Sequence, residues 1–77
     1  MTPTIGRIVL FKSKDVKELG NHAEEVPAII TRVWSENCVN LTVFRDFAEP
    51  LLQTSVTYAE DLDASGQHSA WRWPPRV

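Results

Sequence analysis

No apolar pattern in this 77-residue chain keeps a helical period, whereas Cys38-Val39-Asn40-Leu41-Thr42-Val43-Phe44 alternates strictly. Val39, Leu41 and Val43 point one way, and Cys38, Asn40, Thr42 and Phe44 the other. That two-residue repeat belongs to a pleated strand with one face buried. Four more runs fit the same element. Ile5–Phe11 (IGRIVLF) is β-branched and apolar. Pro27–Trp34 (PAIITRVW) is apolar on both faces, as a central strand is. In Leu51–Tyr58, Leu52, Thr54, Val56 and Tyr58 share a face opposite Gln53, Ser55 and Thr57. Trp71-Arg72-Trp73 completes the set, with both indoles on one side and Arg72 on the other.

The connections decide how five such strands are arranged. Lys12–Glu25 is long, polar and charged; Val16 and Leu19 sit three apart, and Gly20 suits the cap of a short helical turn. Its acidic end, Glu24-Glu25, reads as solvated. Ser35-Glu36-Asn37 suits a hairpin turn, and Arg45–Pro50 is a second short connection in which Pro50 stops the preceding ladder. Residues 59–70 (AEDLDASGQHSA) read as irregular. Five short strands in one domain spanning residues 1–77 have too little partner surface to stay flat, so the sheet is expected to curl. A long first loop, a three-strand meander and a short closing strand resemble small SH3-like barrels in topology, without the ALYDY-like motif of eukaryotic SH3 domains. An OB-like barrel is the alternative, but it needs a helix between its third and fourth strands, where Arg45–Pro50 is too short for one.

A chain this size buries only about 60% of the surface its unfolded form exposes, so its stability depends heavily on the few large side chains available. Cys38 is the single cysteine, which excludes an internal disulfide and points to a reducing compartment. The start MTPTIGRIVLF lacks the pattern of a secretory leader, and no apolar stretch approaches the roughly 20 residues that span a bilayer. The expectation is a cytoplasmic protein with no membrane partner. Eight Lys/Arg against ten Asp/Glu leave a formal charge of −2, and Arg7, Arg32, Arg45, Arg72 and Arg76 are scattered among acids. Generic nucleic-acid binding needs a concentrated basic surface and is disfavoured.

The sequence offers little catalytic chemistry. Cys38 with His22 or His68 lacks any local nucleophile–base signature, and one cysteine with two distant histidines is no metal-ligand set. Glu24-Glu25 and Glu60-Asp61, with Asp63 beyond, read as solvated acids or as a rim facing a basic partner. Three glycines (Gly6, Gly20 and Gly66) build neither a phosphate loop nor a dinucleotide fingerprint. No enzyme activity, cofactor or metal is expected.

GRIVLF, AIITRVW, ENCVNLTVF and WRWPPRV together resemble small accessory proteins encoded by tailed bacteriophages and prophages. The resemblance imports no activity; it implies a protein made in an infected bacterium.

Aromatic and arginine residues are the best candidates for a site. Trp34, Arg32, Phe47, Trp71, Arg72 and Arg76 are the candidate binding residues, because interface hot spots favour Trp and Arg. The leading expectation is a non-enzymatic module docking on a host or viral protein, with the Lys12–Glu25 loop and the barrel ends as contact surface. The alternatives are an oligomeric sequesterer of a small anionic ligand, such as a nucleotide immune signal, and a minor virion component of the neck or tail. Open edge strands, and a polar face of Asn40, Thr42, Ser55 and Thr57, leave room for a homo-oligomer. For WRWPPRV, Trp71 and Trp73 are expected to seal the core, Arg72 and Arg76 to face outward, and Pro74-Pro75 to end the ladder.

Overall fold

The computed structural model describes residues 2–15, 19 and 24–75. Five strands form, β1 (Ile8–Ser13), β2 (Val26–Val33), β3 (Cys38–Val43), β4 (Leu51–Thr57) and β5 (Ser69–Arg72), with one helical turn, α1 (Leu62–Ser65), ahead of β5. They make a single antiparallel sheet in the order β4-β3-β2-β1-β5. A bridge between Tyr58 and Trp71, and an Ala59 N–H to Trp71 carbonyl bond of 3.0 Å, stitch the end of β4 to β5. The sheet is therefore a curled half-barrel of the small SH3-like kind, with the β2–β3–β4 meander and the short closing strand expected from the sequence.

The first strand is shifted along the chain. Ile5-Gly6-Arg7 forms a turn in which Gly6 holds φ 90°, a conformation that disfavours any side chain. Backbone bonds from Gly6 N–H to the Ile30 carbonyl (2.7 Å) and from Ile30 N–H to the Arg7 carbonyl (2.9 Å) tie that turn to β2. Pairing with β5 then carries β1 through Lys12 and Ser13, into what reads from sequence as loop.

Two β-bulges curl the sheet, and both lie beside Asn40. On β2 the register shifts between Ile30 and Arg32, and on β4 three steps from Gln53 to Val56 oppose two on β3. A bulge bends its strand and sharpens the local twist. Ser55 takes the left-handed conformation (φ 52°), and its N–H donates to Asn40 Oδ1 at 2.9 Å. The extra residue reverses the alternation of β4. Val56 is buried, Leu51 and Gln53 are half-buried, and Leu52 stands 75% exposed. Leu52 and Thr54 thus do not share the core face with Val56, contrary to strict alternation.

Inside the curl, Val9, Phe11, Ala28, Ile30, Val39, Leu41, Val43, Val56 and Trp71 form one apolar cluster. Leu19 joins it, fully buried, and its carbonyl accepts the Asp46 N–H at 2.9 Å. The Lys12–Glu25 segment is therefore not simply a solvated loop; it sends an apolar plug into the barrel. The expected turn cap at Gly20 and the partner Val16 lie outside the described residues. Residues 59–70 are also more ordered than their composition suggests. Asp61 caps α1 by accepting the Asp63 and Ala64 N–H groups, and Gly66 ends it at φ 73°.

Candidate functional site

Trp34 follows β2 and is 53% exposed. Its indole Nε1–H donates to Asn40 Oδ1 at 2.8 Å, and the Arg32 guanidinium lies 4.1 Å from the ring centroid. The β2 bulge makes this stack possible, because it leaves Thr31 and Arg32 both exposed before Val33 turns back inward. No carboxylate among the described residues pairs with Arg32. The guanidinium therefore sits over an indole with no carboxylate of the described residues on it, leaving it able to take a carboxylate or phosphate.

Next to this stack, the outer face of the sheet is apolar. Strand register places Ile8 opposite Ile29, Ile29 opposite Thr42, and Thr42 opposite Leu52. A second row runs from Leu10 to Pro27, with the Phe44 N–H bonded to the Pro27 carbonyl at 2.9 Å. Ile8 is 56% exposed and Phe44 41%. The first row contains no charged residue; the second ends on Arg72 of β5, which pairs with Leu10. Sequence reading assigns Asn40, Thr42, Ser55 and Thr57 to this side as a polar face; it misses Leu52, which only the β4 bulge turns outward.

Trp71 in β5 and Trp73 just beyond it do share a side. Trp71 is 1% exposed, its Nε1–H donates to the Asn37 carbonyl at 3.0 Å, and it meets Tyr58 edge-on. Trp73 is half-buried, packs edge-on against Trp71, and carries the Arg7 guanidinium over its ring. Trp71 is thus core, not an exposed anchor. Arg72 lies on the opposite side but is not a free cation. Its Nε and Nη2 donate to the two oxygens of Glu25 at 2.6 and 2.8 Å, and Glu60 approaches at 3.7 Å. Glu25, read from sequence as solvated, clamps the long loop to β5.

The clamp has a pH signature. The Arg72 hydrogen bonds, opposed by partial burial and helped by the charges of Arg72 and Lys12, hold the Glu25 carboxyl below its ordinary pKa. A carboxylate with a depressed folded-state pKa stabilises the fold above the usual glutamate range, and that contribution is lost as pH falls through the lowered value. Thermal stability should therefore fall on acidification below the usual glutamate range. In Glu25→Gln this part of the fall should be missing, as melting curves over an acid pH series would show; parallel curves for the two proteins would refute the assignment. The phenol of Tyr58 donates to Glu60, and that bond raises the Tyr58 pKa.

The remaining candidates are dispersed. Phe47 is 91% exposed at φ 55° in the β3–β4 loop. It lies beyond the opposite end of β3 from Trp34, a separation of about 20 Å for a strand of this length. Arg76 and His22 lie outside the described residues. Cys38 is a half-buried free thiol, and among the described residues no group of three or more His, Cys, Asp or Glu is gathered. No helix among them is long and apolar enough to cross a membrane. Compared with known protein families, characterised proteins and solved structures, the chain matches none.

Proposed function

We propose that this chain is a non-enzymatic binding module that docks on a protein partner through the outer face of β1–β4. The observation that carries the reading is the uncharged row Ile8–Ile29–Thr42–Leu52, open at both ends and flanked by Leu10, Pro27 and Phe44. Contiguous apolar patches on small soluble domains mark interaction surfaces more often than chance, since leaving them in water has a free-energy cost. Arg32 and Trp34 stand at the rim as the residue types that anchor interfaces. A host or viral protein in the cytoplasm of an infected bacterium is the partner proposed, on the strength of the resemblance to phage accessory proteins.

Leu52→Asp tests the proposal. Leu52 is exposed, so the variant should fold with an unchanged melting temperature while losing its partner by at least tenfold in quantitative co-purification from infected cells. Asp63→Ala, on α1, should retain the partner. A Leu52→Asp protein that captures the same partner in the same amount would refute docking by this face. Light scattering of the purified chain adds a further check: if a dimer forms and Leu52→Asp dissolves it, the face joins two copies of this chain instead.

A further inference from the structure

The mouth of the barrel, away from the outer face, has a different chemistry. Here the β2–β3 turn meets the end of β4 and the strand β5. The Asn37 carbonyl accepts two hydrogen bonds at once, from the Tyr58 N–H at 2.7 Å and from the Trp71 indole at 3.0 Å. The turn itself is braced, because Trp34 N–H and Ser35 N–H both donate to the Cys38 carbonyl and Ser35 Oγ accepts the Cys38 N–H. Three aromatic rings are thereby fixed against one another. Tyr58 stands 5.0 Å from Trp71 at 72°, and Trp73 stands 5.2 Å from Trp71 at 85°. Tyr58, Trp71 and Trp73 line a recess of about 270 Å³, and Asn37 and the exposed Glu36 complete its wall.

The lining selects a ligand by charge and hydration. Aromatic faces carry the negative lobe of the ring quadrupole, and Glu36 adds a carboxylate, while no lining residue is cationic. An anion would meet repulsion there. A small, strongly hydrated metal ion would find only one carboxylate and lose too much hydration. A bulky, weakly hydrated organic cation gains from both the rings and the acid. The Arg7 guanidinium lies 5.5 Å from the Trp73 centroid, so a ligand cation shares that ring with a resident charge and leans more on Tyr58 and Glu36. We propose that the Tyr58–Trp71–Trp73 recess, with Glu36 at its rim, binds an alkylated ammonium group. The group could belong to a free small molecule or to a modified lysine side chain, and the proposal is independent of docking by the outer face.

Choline is the probe, and dimethylbutanol, its uncharged carbon isostere, is the control. Both are titrated into isotopically labelled protein at constant ionic strength while the indole N–H resonances are followed. Choline should shift the Trp73 and Trp71 signals saturably, and dimethylbutanol should not. Glu36→Gln changes only an exposed side chain and should weaken choline binding roughly fivefold. Trp73→Phe, which keeps a ring in place, should weaken it as well. A parallel titration with trimethyl-lysine amide separates the sources: tighter binding than choline points to a protein side chain, weaker binding to a free ligand. Equal shifts from the neutral isostere, no shift at all, or choline affinity unchanged in Glu36→Gln would each overturn the proposal.

Discussion

Replacing Trp71 by alanine should remove most of this chain's stability at room temperature. A domain of this size has a net stability on the order of 5 kcal/mol, and truncating a fully buried tryptophan costs about 3–5 kcal/mol. Trp71 is the largest fully buried side chain, and it packs in the same cluster as Phe11 and Val39. It pairs across the ladder with Phe11, bridges to Tyr58, and its indole bonds to the carbonyl of Asn37. Loss of the ring therefore opens the seam between β4 and β5 as well as leaving a cavity. Urea unfolding followed by circular dichroism measures this. Trp71→Phe serves as the graded control: it keeps most of the packing, drops the indole N–H, and should cost roughly 1–2 kcal/mol. An alanine variant with the wild-type midpoint would show that the barrel closes without its lid.

Leu19→Ala should be nearly as damaging, at about 2–5 kcal/mol. That expectation is informative because Leu19 comes from a segment whose composition is polar and charged. Its side chain is fully buried in the main cluster, and its carbonyl holds the Asp46 N–H of the β3–β4 loop. If the long segment were only a solvated excursion, the substitution would move the urea midpoint negligibly. A large drop, with the slope of the unfolding curve unchanged, establishes the segment as part of the cooperative unit. Together with the Glu25–Arg72 clamp, the plug fastens the segment on two sides: an apolar contact inside the barrel and an ion pair outside it.

The β3 pattern and the tail were the most legible parts of the chain. Val39, Leu41 and Val43 are all buried, and Trp71 and Trp73 lie on one side with Arg72 on the other, because the two-residue period follows from backbone pleating alone. The short turn before Cys38 and the β2–β3–β4 meander were legible for a related reason, since short polar connections force neighbours in sequence to pair, whereas the pairing of β1 with β5 spans most of the chain. The helical turn α1 had a readable signal in DLDASG, with an aspartate N-cap and a glycine C-cap, but four residues carry no periodicity to draw attention to it.

The candidate sites were only half legible. Residue type marked Trp34 and Arg32, and the structure stacks them; nothing in the residues predicts that Leu52 joins Ile8 and Ile29 on the same face. That face depends on where β4 bulges, and the bulge is a compromise among three strands. Ser55 can take a left-handed conformation there because Asn40, on the neighbouring strand, receives its N–H. Likewise, Glu25 looks like any loop acid until β5 brings Arg72 to it from 47 positions along the chain. The sequence by itself determined the local pleat, the strand count and the apolar sides of β3 and β5, since these rest on contacts within a few residues. Register, bulge position, the partner of each charge and the burial of Leu19 were decided only by the tertiary structure, because each is settled by packing between segments far apart in the chain.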